Sequence, residues 1–164
     1  MIQRVQTLFL LGVIICMALT VNFPIWEKAN PDTGVRYTLD SFYWNEYQQN
    51  VVDQSSWELA VSTPTYYLAG LAAIVCLVSL FSIFQFKKRI TQIKLGALNA
   101  FLMMAYIAIA TYLIYKGENK IGIESRGAFQ VGYFLPLAAM IINSLASRFI
   151  KKDENLVRSV DRIR

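Results

Sequence analysis

Long apolar runs alternate with shorter polar ones along this chain. Four runs, at residues 5–22, 64–86, 95–115 and 128–150, are apolar nearly all round, not on one stripe. An α-helix rises about 1.5 Å per residue, so about 20 such residues cross a hydrocarbon layer of roughly 30 Å. The pattern predicts an all-α membrane protein, a single domain over residues 1–164 in which four transmembrane helices form a bundle. Arg4 ahead of the first run has the grammar of a signal peptide, but no small-residue cleavage register follows. An uncleaved first span is the expectation.

The polar segments carry weaker signals. Within the loop at 23–63, Asn30-Pro31-Asp32-Thr33-Gly34 is a turn sequence. After it Val35, Tyr37 and Leu39 alternate with Arg36, Thr38 and Asp40, which predicts a short strand in a hairpin-like outer loop. Trp57, Leu59 and Val61 read as the return of the chain to the bilayer, with Ser62-Thr63-Pro64 as a helix start. In the third run Gly96 and Ala100 mark a small-residue face for close helix packing. In the fourth, Pro136 predicts a kink, and Gly132, Pro136, Met140, Asn143 and Ser147 share one side. Beyond it, over 151–164, Leu156, Val157, Val160 and Ile163 take one face and Arg158, Arg162 and Arg164 the other. This predicts an amphipathic C-terminal helix lying on the inner leaflet.

Composition narrows the chemistry. Hydrophobic residues make up 55% of the chain and charged residues 16%. The formal charge of +5 does not point to nucleic acid, because the basic residues sit at the ends of the apolar runs. Arg4, Lys87, Lys88, Arg89, Lys94, Arg148, Lys151, Lys152, Arg158, Arg162 and Arg164 fall on one side of the predicted membrane. Only Lys28, Arg36, Lys116, Lys120 and Arg126 fall on the other. Positive charge resists translocation, so both termini are expected in the cytoplasm and the aromatic, acidic first loop outside. There is no histidine, which removes the commonest haem and zinc ligand and the commonest general base. Cys16 and Cys76 lie mid-span and form no CxxC pair. No cofactor and no metal are expected.

Three segments carry a resemblance. MIQRVQT at 1–7, FPIW at 23–26 and GYFLPLAAMIINSLASRFIKKDENLVRSVDRIR at 132–164 resemble an uncharacterised four-span inner-membrane family of Bacteroidota, catalogued as a domain of unknown function. The resemblance spans the whole chain and implies a bacterial inner membrane. It implies no activity.

Three groups of residues are candidate sites. Tyr37, Phe42, Tyr43, Trp44 and Trp57 in the outer loop are a candidate partner-binding surface, since aromatics anchor protein contacts. Asn99, Gly132, Pro136 and Asn143 are candidates for helix packing or for lining an intramembrane ligand site. Lys87, Lys88, Arg89, Lys151, Lys152, Arg158, Arg162 and Arg164 are candidates for lipid headgroup or cytoplasmic contact. No Asp, Glu, Lys or Arg lies mid-span, which argues against a proton-coupled transporter. The expected function is therefore non-enzymatic: an accessory or scaffolding subunit of a larger membrane complex, with membrane lipids and membrane proteins as partners. The alternative is a binder or carrier of a lipid or small apolar molecule within the bundle.

Overall fold

The computed structural model describes residues 3–30, 34–49, 56–86, 88–121 and 127–161, with the side chains of 3, 4, 120, 121 and 157–161 left out. Its elements run α1 (Gln3–Asn22), β1 (Trp26–Asn30), β2 (Val35–Leu39), β3 (Tyr43–Gln49), β4 (Trp57–Pro64), α2 (Tyr66–Phe84), α3 (Arg89–Ile121), β5 (Ala128–Phe129) and α4 (Val131–Asp161). The helices pack in a ring, each against the next and α1 against α4.

All four helices bury one seam at intervals of four and three. In α1 it is Gln6, Leu10, Val13, Met17 and Thr20; in α2 it is Leu68, Ala72, Val75, Ser79 and Ser82. In α3 it runs Gln92, Gly96, Asn99, Met103, Tyr106, Ala110, and in α4 Gly132, Pro136, Ala139, Asn143, Ala146, Ile150. A repeat averaging 3.5 residues keeps a helix seam facing its neighbours in a left-handed bundle. Outside the seam the surface is apolar: Leu8, Leu77, Phe101, Met104, Phe134 and Ile141 are all more than half exposed. All four helices are long and apolar enough to cross a membrane, yet only 28% of each apolar window is buried within the protein. Apolar surface on that scale is untenable in water and natural in lipid.

The expectation of an all-α bundle with a hairpin-like loop is corrected. The loop between α1 and α2 and the segment before α4 build a five-stranded antiparallel sheet, ordered β4-β3-β2-β1-β5. Val35–Leu39 is a strand, but it pairs on both sides, with β1 and with β3. Trp57, Leu59 and Val61 do lead the chain back to α2, but as the edge strand β4, bulged where it passes Glu46 and Tyr47. Consecutive strands pair in order, but the fifth, β5, comes from about 100 residues along the chain, and the polar run of β3 shows no clean alternation from which to read it. The turn over 31–33 lies outside the described residues.

The C-terminal tail is also corrected. α4 is one helix of 31 residues that runs through Pro136 and on to Asp161, so no separate surface helix begins at 151. At about 1.5 Å per residue α4 is about 46 Å long, and α3, with 33 residues, about 50 Å. Both exceed a hydrocarbon layer of roughly 30 Å. The C-terminal end of α3 lies beside the sheet, where Gly117 meets Trp44, and α4 starts at that end and finishes at the other.

Candidate functional site

The sheet stands on the bundle through the turn between β2 and β3. Ser41 Oγ donates to the Thr20 carbonyl at the end of α1 (3.2 Å) and lies 3.0 Å from the Tyr106 hydroxyl of α3. The Ala69 amide of α2 donates to the Ser41 carbonyl, and the Thr65 amide to that of Phe42 (2.7 Å). Three helices therefore converge on one short turn. β1 follows α1 directly and β4 leads directly into α2. The strand ends Trp26, Leu39, Tyr43 and Pro64 thus lie at the bundle, and Asn30, Val35, Gln49 and Trp57 point away from it. At about 3.3 Å per residue, β4 with its eight residues reaches about 26 Å outward.

Cross-strand register sorts the side chains onto two faces. Trp26, Leu39 and Trp44 share the face toward α3, together with Lys28, Tyr37 and Glu46 one step further out. Trp26 and Trp44 stack with ring centroids 5.4 Å apart. The backbone comes up against both rings at glycines: a Cβ on Gly117 of α3 would overlap the Trp44 ring, and one on Gly127 the Trp26 ring. Lys28 is buried, and the Tyr37 phenol beside it is pushed up by burial and by the Glu46 charge. The opposite face carries polar pairs, with Tyr47, Leu59 and Trp57 further out. Glu27 and Arg36 form an ion pair at 2.7 Å, and Ser62 Oγ donates to Asn45 Oδ1 at 2.9 Å. Near the turn, burial also raises the Asp40 carboxyl above the usual carboxylate range.

The five aromatic candidates do not form one surface. Phe42 and Tyr43 sit at the membrane end against Tyr66, the Tyr43 and Tyr66 hydroxyls 2.5 Å apart. Trp44 and Tyr37 turn inward toward α3. Trp57 is exposed at the outer end of β4. What sequence reading missed is β4 itself, exposed at every position, with Leu59 and Val61 more than half exposed. Their alternation with Trp57 was the available signal. Trp44, Thr63, Tyr67, Leu113 and Lys116 also line a cavity of about 260 Å³ between β4 and α3.

Of the intramembrane candidates, Asn99 and Asn143 bond to neighbouring helices and Gly132 packs on the link after α1. Asn99 Nδ2 donates to Ser79 Oγ of α2 (2.7 Å), and Asn143 Nδ2 to the Gly96 carbonyl of α3 (2.8 Å). Gly96 lies so close to α4 that a Cβ there would press on Ser147 Oγ. The Gly132 amide donates to the Pro24 carbonyl (2.9 Å), with no room for a side chain between them. Pro136 is buried in the same seam.

Of the basic candidates, Arg89 ion-pairs with Asp153 of α4 at 3.0 Å, while Lys88, Lys151 and Lys152 are exposed. Arg158 belongs to α4. Its side chain, together with Lys87, Arg162 and Arg164, lies outside the described residues. Among the described residues, no group of three or more His, Cys, Asp or Glu is placed to hold a metal.

No curated protein matches this chain. Residues 2–163, nearly the whole sequence, match a family described as Domain of unknown function (DUF4293), and the chain belongs to that family.

Proposed function

We propose that this protein is a multi-pass subunit of a bacterial inner membrane, with both termini cytoplasmic, that acts as a non-catalytic accessory or scaffolding component of a larger membrane complex. The observation that carries the reading is the position of β4 at the edge of the sheet. The other edge of the sheet, β5, is blunted to two residues, whereas β4 offers eight, exposed throughout. A long exposed edge with Trp57, Leu59 and Val61 invites strand addition unless a partner covers it.

Strand direction favours a different chain as that partner. β4 runs toward the bundle, and every pairing in the sheet is antiparallel. An added antiparallel strand therefore runs outward. Copies of this protein share one orientation in the bilayer and are related by rotation about its normal. Such a rotation leaves β4 and its copy parallel, edge to identical edge, where they make no ladder.

Photocrosslinking in intact cells tests the proposal, with a photoreactive residue at Leu59 or Val61 and the adduct identified by mass spectrometry. The expected product joins β4 to an extended segment of another membrane protein and disappears when the other of these two residues is replaced by lysine. A product consisting only of this chain joined to itself overturns the reading. A reporter fused after Arg164 tests the orientation, and activity outside the cytosol refutes it.

A further inference from the structure

The depth of α4 in the bilayer can be read from its neighbours. Its start is tied to the exit of α1 by the bond from Gly132 to Pro24. Arg148 follows sixteen residues later, about 24 Å along the helix. Phe149 stacks on Phe9 of α1 at 5.4 Å, and Val5 of α1 lines a small cavity with Phe149, Lys152 and Asp153. Val5 opens the apolar run of α1. Both relations put residues 148–152 at headgroup level, in the leaflet that holds the start of α1.

At that level three exposed cations stand together. Arg148, Lys151 and Lys152 line, with Asn155 and Leu156, an open cavity of about 560 Å³. Asp153 beside them is already held by Arg89 of α3, and among the described residues no carboxylate ion-pairs with the three cations. Glu154 reduces the local positive surplus without cancelling it. Toward the bilayer the same exposed face continues through Leu145 and Ile141. Ile141, Leu145, Arg148, Lys152 and Asn155 follow at intervals of four, three, four and three. One stripe is thus aliphatic over its first two turns and cationic and polar over the next two.

We infer that this stripe is a binding site for an anionic phospholipid. Arg148 and Lys152 hold the phosphate, Lys151 and Asn155 flank it, and an acyl chain lies along Leu145 and Ile141. Arginine matches the phosphate geometry bidentately, and a cation at this depth finds its counter-charge in the headgroups. A free phosphate would satisfy the charges but leave the aliphatic turns without a function. The inference rests on the four helices spanning the bilayer and is independent of the partner at β4.

The test compares phosphatidylglycerol with phosphatidylcholine of identical acyl chains, titrated onto the purified full-length protein and followed by native mass spectrometry. Phosphatidylglycerol binds more tightly. At roughly fivefold per cation, the Arg148→Gln/Lys152→Gln double variant weakens it on the order of 30-fold and leaves phosphatidylcholine unchanged. Lys94→Gln, which removes an exposed cation near the start of α3, alters neither lipid. Equal binding of the two lipids, an equal loss on Lys94→Gln, or displacement of phosphatidylglycerol by inorganic phosphate overturns the inference. Flotation with vesicles separates the two failures. A protein that does not float refutes the membrane reading and the lipid site together, whereas one that floats without discriminating refutes the site alone.

Discussion

The bundle and the sheet obey opposite rules. In the bundle the exposed positions are apolar, and the buried seam carries the amides Gln6, Gln92, Asn99 and Asn143 among its mostly apolar residues. In the sheet the face toward α3 buries Trp26 and Leu39, and the open face carries the Glu27–Arg36 and Asn45–Ser62 pairs. The solvent explains the inversion. Lipid chains are as apolar as leucine, so burying apolar groups between helices gains little, and close packing and hydrogen bonds hold them together. Beyond the membrane the hydrophobic effect returns and drives the aromatic face of the sheet onto α3.

That contrast is open to being broken, most severely by deleting equivalent volumes in the two regions. Leu39→Ala empties a fully buried site in the water-facing sheet and is expected to cost about 3 kcal/mol. Denaturant unfolding followed by the fluorescence of the stacked Trp26 and Trp44 measures it. Met103→Ala, equally buried but in the bundle, is expected to cost only about 1.5 kcal/mol, since the transfer part of the loss vanishes in lipid and the cavity part remains. Equal losses in the two variants would mean that one rule governs both regions.

Smaller effects sharpen the picture. Asn99→Ala removes the bond to Ser79 and is expected to cost about 1 kcal/mol in the same assay. The ionised Asp40 carboxylate is disfavoured by burial, so its pKa is higher folded than unfolded. Its contribution to stability is therefore fully present below the ordinary carboxylate pKa and is lost as pH rises through the folded value. Asp40→Asn, which keeps an acceptor for Asn45, is expected to be more stable than the parent at neutral pH, with the difference closing as pH falls below about 4. Melting temperatures across that range decide it. Smallest is the double change of Leu59 and Val61 to lysine on β4, expected within about 0.5 kcal/mol of the parent, because every position there is exposed.

How much was legible follows from the range of each interaction. The apolar runs at 5–22 and 64–86 coincide within two residues with α1 and α2. The longer α3 and α4 pass beyond their runs, because helix propagation does not stop where hydropathy does. Asn99 and Asn143 stood out as polar residues inside apolar runs, a signal that needs no partner to be seen. By contrast, the Thr20–Ser41–Tyr106 junction joins three residues that look ordinary in isolation. Gly117 and Gly127 gave no sign that tryptophans would lie on them, since their neighbours come from strands some 70 to 100 residues earlier.

The chain alone determined its solvent, its four membrane-sized helices and the side on which its positive charge gathers. Each of these depends on the average polarity of about 20 consecutive residues, which folding does not alter. Only the tertiary structure decided that the segments between the helices close into a five-stranded sheet, that Trp44 turns inward while β4 takes an exposed edge, and that Arg148 and Lys152 continue an aliphatic stripe. Those outcomes depend on how the strands and the distant β5 pack together onto α3 and on which helix neighbours take up each charge, information carried by contacts and not by any local stretch of residues.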